Sequence, residues 1–157
     1  MCLVIDVCCI PKVFDCENKH HPNYAPVFEW VSIGSGSMIY GGTKYGIELR
    51  EIPRYIPILT ELERAGRVVV LPHPRVDAIA CALKEKVTDP AFNDEHLVAI
   101  VIVSRCRVVA TEDRNAISYL KRAEFYSCHR MKRPKIYQSI RNKNLCCDQN
   151  VIATYAH

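Results

Sequence analysis

Asn93-Asp94-Glu95-His96-Leu97-Val98-Ala99-Ile100-Val101-Ile102-Val103 is the stretch on which the fold turns. From Leu97 to Val103 every residue is apolar, and five of them are β-branched. Propensity alone makes this a strand, with Arg105-Cys106 as a hairpin turn. The residues ahead of it speak for a helix. Asn93 is a good N-cap, and Asp94 and Glu95 suit a first turn, where carboxylates meet the positive end of the helix dipole. A helix buried on most faces also shows no clean 3.6-residue period. The residues by themselves leave both readings open.

The segments on either side are plainer. Cys2-Leu3-Val4-Ile5 is a short continuous apolar run, the mark of a central parallel strand. Pro11 opens a short helix through Phe14. Asp15 to Pro26 is polar and reads as a loop, and Val27 to Val31 as a short helix. Gly34-Ser35-Gly36-Ser37 is a turn before a strand at Met38-Ile39-Tyr40. Thr43 is expected to cap a helix towards Glu51, interrupted at Pro53. Ile56, Leu59, Leu62 and Ala65 share one helical face, with Gly66 as the stop. Val68 to Leu71 is the next strand, ended by Pro72. Val76, Ile79, Ala80 and Leu83 mark a helix to about Lys86. Val108-Val109-Ala110 is a strand, Arg114 to Ala123 a helix, and Lys135-Ile136-Tyr137 a last strand. Strands alternating with helices predict an α/β fold with a mainly parallel sheet. No internal repeat or second domain is visible, and one domain over 1–157 is expected.

Composition narrows the class. The chain of 157 residues is 49% hydrophobic and 24% charged, enough for an ordinary core and far from a disordered composition. No apolar run is long enough for a membrane span, and no secretory leader is expected. Nine cysteines at irregular spacing, with no CxxC pair, point to a reducing cytoplasm. Cys8, Cys9, Cys16, His20 and His21 cluster in sequence but lack zinc-site spacing, and Cys8 and Cys9 point apart on an extended chain. Trp30 and Phe28 read as core. Net charge is +4, and its distribution matters more. Between Lys121 and Lys143 stand eight Lys or Arg against one acid, Glu124. Such a stripe, with Lys132, Arg133 and Lys135 at its centre, is a candidate surface for a polyanion near a carboxylate cluster.

Four acids carry the chemistry. Asp6 ends the first apolar run, Glu48 follows the Gly-rich stretch Tyr40 to Gly46, Asp94 opens the ambiguous segment and Asp113 closes Val108 to Glu112. Carboxylates at the lips of buried elements can converge on a hard cation, Mg²⁺ or Mn²⁺, which also binds phosphate. Each also has a plain structural role open to it: a turn cap for Asp6, a helix N-terminal acid for Asp94, an N-cap for Asp113, a surface acid for Glu48. Glu112 and Asp15 read as exposed spare acids. Lys44 stands where it can touch phosphate or face solvent.

Four pieces in this order resemble the PIN-domain nuclease superfamily. They are Val4-Ile5-Asp6 with its following helix, Ile39 to Tyr45 with Glu48-Leu49, Asn93 to Ile100, and Arg107 to Asp113 with its Thr-x-Asp ending. Together they span roughly residues 2–147. The resemblance implies a parallel sheet with helices on both faces and acids meeting at the C-terminal edge of the strands. It also implies a helix, not a strand, after Asp94. By the same resemblance Asp6, Glu48, Asp94 and Asp113 are the metal-binding and catalytic acids, supported by Thr111 and Asn115. One departure stands out: two residues after Asp6 the family commonly has Asn or Ser, and here there is Cys8, a poorer hydrogen-bond partner. The implied activity is Mg²⁺- or Mn²⁺-dependent cleavage of RNA, single-stranded RNA above all. Small stand-alone members are often toxins of toxin–antitoxin pairs, which implies an antitoxin partner and a homodimer. The alternative from another class is a catalytically weak RNA-binding or assembly subunit of a larger complex.

Overall fold

The computed structural model describes residues 2–147. The expected unit over 1–157 runs beyond them at residue 1 and at residues 148–157. Five strands form one parallel sheet: β1 (Cys2–Ile5), β2 (Ser37–Gly41), β3 (Val68–Leu71), β4 (Val108–Ala110) and β5 (Lys135–Tyr137). Their order is β3-β2-β1-β4-β5, with Leu3 opposite Met38, Ile5 opposite Ala110, and Ala110 opposite Tyr137. Successive side chains of a strand face opposite sides of a sheet. All three of Leu3, Val4 and Ile5 are fully buried, as are Val108, Val109 and Ala110. Both faces of the sheet centre are therefore covered. β3 lies at an edge, and Val69 there is 40% exposed.

The chain leaves β1 to build β2 and β3 on one side, then returns to build β4 and β5 on the other. That reversal places a topological switch between β1 and β4. In open parallel sheets the crevice beyond the C-terminal strand ends at such a switch is where ligands bind.

Eight α-helices complete the described residues: α1 (Ile10–Phe14), α2 (His21–Ser32), α3 (Thr43–Arg50), α4 (Ile56–Arg64), α5 (His73–Lys86), α6 (Glu95–Ser104), α7 (Arg114–Leu120) and α8 (Glu124–Ser127). The segment left open by its residues is α6. It packs across β1, β2 and β3 and against α5 and α7. All ten of its residues are buried. Burial on every side erases the helical period and lets β-branched residues serve in a helix, because packing outweighs their small propensity cost. Among the described residues no helix is long and apolar enough to cross a membrane.

Several local expectations are corrected. The polar stretch 15–26 is not all loop, since α2 begins at His21. Pro22 sits in its first turn, where a missing N–H costs nothing, although Pro26 lies inside the helix. Tyr24, Val27 and Val31 are fully buried at helical spacing, and that burial decides the helix. Thr43 is not the cap of α3 but its first residue. The cap is Gly42, whose φ of +86° needs glycine, and an added Cβ would meet Val76 Cγ1 at 2.7 Å. Asp77 on α5 supplies the missing acceptor, taking the Thr43 N–H at 2.8 Å and its hydroxyl at 2.6 Å. Asn93 is not the cap of α6 either: Asp94 occupies that position. The helix expected from Arg114 to Ala123 ends at Leu120, and α8 follows separately. Gly66 does end α4, with φ +72°. The Arg67 and Gly66 N–H groups bond back to Leu62 O and Glu63 O, a Schellman closure.

Candidate active site

Asp6 leaves the end of β1 directly over the switch point. Its N–H donates to Ala110 O of β4 at 2.9 Å, which fixes the backbone. Its carboxylate is 7% exposed and accepts a 2.6 Å bond from the Thr111 hydroxyl. The same Thr111 oxygen accepts the Asp113 N–H at 3.1 Å. One fully buried hydroxyl thus ties two acids from two strands. Thr111 also supplies the support for Asp6 that a thiol at position 8 provides poorly.

Asp113 caps α7, its Oδ1 accepting from the Asn115 N–H at 2.7 Å and the Ala116 N–H at 3.2 Å. The residue itself is exposed. Asn115 Nδ2 donates to Ala91 O at 2.5 Å and so pins the loop leading to Asp94. Phe92 anchors the same loop, buried with its ring 4.4 Å from that of Tyr119 and 5.5 Å from that of Phe125. Asp94 is thereby held facing Asp6 and Asp113. Partial burial, then the charges of Asp113 and Asp6, push its carboxyl up to about 6, against the opposing pull of His96 and Lys44. The structure therefore brings Asp6, Asp94 and Asp113 into one electrostatic cluster.

Glu48 stands beside this cluster on α3. Its nearest described partner is His96, with Nε2 3.2 Å from Glu48 Oε2. Neither ring nitrogen of His96 has an aligned hydrogen-bond partner among the described residues. His96 is 2% exposed, and its ring meets Tyr45 edge-on at 6.4 Å. The Tyr45 hydroxyl donates to Ile5 O at 2.6 Å, which binds α3 to the end of β1 beside Asp6. His96 had no role in the expectation from sequence. The available signal was a histidine two residues after Asp94, at the start of an otherwise apolar run.

Lys44 lies close to Asp94, whose carboxyl its charge pulls down, and is engaged within the protein. Its ammonium bonds Asn93 O and both carboxylate oxygens of Glu95, at 3.2 Å, and Lys84 stands 3.8 Å from Glu95 on the other side. Lys44 therefore braces the entry to α6. Two further corrections concern neighbours. Asp15 is half-buried, accepting from Glu17 N–H and Tyr55 OH, with Arg54 at 3.5 Å. Glu112 is exposed but not spare: burial draws its carboxyl up, while bonds from Lys12 and the Tyr24 hydroxyl outweigh this and hold it below the usual range. Cys8 and Cys9 lie on a 3₁₀ turn, not an extended chain, so their sulfurs approach to 3.8 Å. Trp30 is buried and Phe28 packs on the core, as expected.

The basic stripe lies away from the acids. Lys135 N–H bonds Arg107 O at the start of β4 and β5, whereas Thr111 N–H bonds Tyr137 O at their far ends. Lys132, Arg133 and Lys135 therefore occupy the N-terminal edge of the sheet, and the acids the C-terminal edge. The expected neighbourhood of stripe and carboxylates does not hold.

The oxygen donors suit Mg²⁺ or Mn²⁺ in kind. Such ions keep several waters and take only one or two protein carboxylates. Among the described residues no three His, Cys, Asp or Glu side chains already stand together as a closed ligand group. No protein-family model, curated protein or solved structure matches the chain. The site is defined by its own residues.

Proposed function

We propose that the chain is a metal-dependent endoribonuclease whose site is the acid cluster at the C-terminal edge of the sheet. The observation that carries this reading is the meeting of Asp6, Asp94 and Asp113 at the switch point, with the Asp94 carboxyl pushed up to about 6. Three like charges facing each other oppose folding unless something offsets them. The PIN resemblance supplies the substrate class, RNA. A divalent cation held there by these acids, with Glu48 beside them, would supply a water of lowered pKa and positive charge against the phosphoryl group. The protein's own part is positioning. Thr111 aims the Asp6 carboxylate, the α7 cap aims Asp113, and the pinned 91–94 loop aims Asp94. His96 Nε2 stands 3.2 Å from Glu48 Oε2. Asp113 is exposed, so a strand of RNA can reach it from solvent. A toxin with a cognate antitoxin, working as a homodimer in the cytoplasm, is the biological setting that belongs to this reading.

A second reading is a catalytically weak RNA-binding or assembly subunit. It draws support from the lack of a closed three-residue ligand group among the described residues.

Thermal denaturation in EDTA, Mg²⁺ and Mn²⁺ separates the two. Divalent ions should raise the melting temperature of the wild type by mass action. The double variant Asp6→Asn with Asp94→Asn should melt higher than wild type in EDTA and lose the metal response. An unaltered response in the double variant places the ion elsewhere, and no response in the wild type favours the subunit reading.

A further inference from the structure

We propose that the N-terminal edge of the sheet is a second nucleic-acid site, which holds the backbone of single-stranded RNA far from the acids. The choice of RNA rests on the function proposed above; the site itself rests on its own geometry. Two adjoining clefts open there. One, of about 240 Å³, is lined by Arg105, Arg107, Arg130 and Lys132. The other, of about 520 Å³, is lined by Lys132, Arg133, Lys135 and again Arg107. No carboxylate lines either cleft. Among the described residues none of these six cations has an acid within 4.0 Å. Packing six like charges together without internal partners costs folding energy, and a polyanion offsets it.

The lining tells which polyanion. Met131 belongs to both clefts and Pro134 to the larger one, so the cations surround an apolar floor. A duplex presents a convex cylinder of phosphates with its bases stacked away. A single strand can lay phosphates on the cations and a base on Met131 or on a guanidinium plane. Four of the six are arginines, which grip phosphate with two donors and stack on bases. An acidic peptide would match the charge but leave the floor without a partner.

The edge-to-edge arrangement adds a length requirement. From Arg107 to Asp113 the chain advances six residues, roughly 20 Å at about 3.3 Å each. A strand rising about 3.4 Å per nucleotide needs about six nucleotides to cover that straight line, and more to pass round the molecule. The second site therefore favours long RNA over short fragments.

The test is fluorescence anisotropy with a labelled 20-residue oligouridylate in EDTA, using the full chain with Asp6→Asn and Asp94→Asn so that nothing is cut. Adding Lys132→Glu and Arg133→Glu, both exposed, should weaken binding tenfold or more. The milder pair Lys132→Gln and Arg133→Gln should lower the salt slope by about 1.4, at about 0.7 per contact on a single strand, and covers the case in which charge reversal disturbs folding. Unchanged affinity and slope in the Gln pair overturn the inference. So does poly-L-glutamate of equal charge binding more tightly than the oligouridylate, which assigns the edge to an acidic protein. Because no cleavage is read, loss of the nuclease reading leaves this result standing, and the reverse.

Discussion

Thr111 and Asp94 show how single residues set the site. Thr111 spends one hydroxyl on two acids, donating to Asp6 and accepting from the Asp113 N–H. Asp94 meets the opposite situation, a carboxyl half-removed from water and facing two others. Its folded pKa, about 6, lies above its ordinary 3.8, so its charged form is penalised in the fold. Below 3.8 the group is neutral in both states and contributes nothing. As pH rises from 3.8 to about 6 the unfolded chain loses the proton first, and metal-free stability falls; above 6 the penalty is complete. Asp94→Asn should therefore raise the metal-free stability at pH 7.5 by about 1 kcal/mol, after discounting for the water that still reaches the group. That corresponds to a melting temperature higher by about 3 °C, with no gain at pH 3.5. Melting curves in EDTA at the two pH values check this, and an equal gain at both would show that repulsion is not the cause. Asp6, Asp94 and Asp113 were legible as candidates in sequence because each ends or opens an apolar run, whereas Glu48 lacks that mark. The bond from Thr111 to Asp6 was not, since it joins residues 105 positions apart.

At the scale of elements, α6 is the decisive piece. Its composition favours a strand, yet its place across three strands makes it a helix buried on every side. The residues ahead of it spoke for a helix without deciding it, and the resemblance tipped the reading; the burial that produces the helix depends on residues far along the chain. The α2 correction has the same origin, since Tyr24, Val27 and Val31 gain their meaning from the core they enter. Within α6, His96 is the exception, a fully enclosed imidazole with no aligned hydrogen bond among the described residues. An unsatisfied buried polar group costs about 1–3 kcal/mol. His96→Leu fits the apolar surroundings and should leave the metal-free melting temperature unchanged or higher. It should also free Glu48, so that several-fold more Mn²⁺ is needed for the half-maximal thermal shift. A variant that melts lower, with an unchanged Mn²⁺ requirement, would make His96 a packing residue without a part in the site.

The whole molecule separates two charges across one sheet. The parallel direction followed from the alternation of apolar runs and helices; the strand order, with β1 between β2 and β4, is legible only in the structure, and the two together put the acids at one edge. The same directionality put the basic stripe at the other, and that was not legible from its nearness in sequence to Asp113. Parallel strands send each β-start and each β-end to opposite sides, so residues some twenty positions apart sit at opposite edges. The acid edge is proposed to cut RNA with a divalent ion. Cleavage of a labelled single-stranded RNA in Mn²⁺, by wild type and by Asp113→Asn, tests it most directly. Asn keeps the side-chain oxygen that caps α7, so the variant should fold. It removes one formal charge at the ion, so it should cut at least tenfold more slowly, and EDTA should abolish wild-type cleavage. Equal cleavage by the two proteins, or wild-type cleavage that persists in EDTA, would contradict the claim.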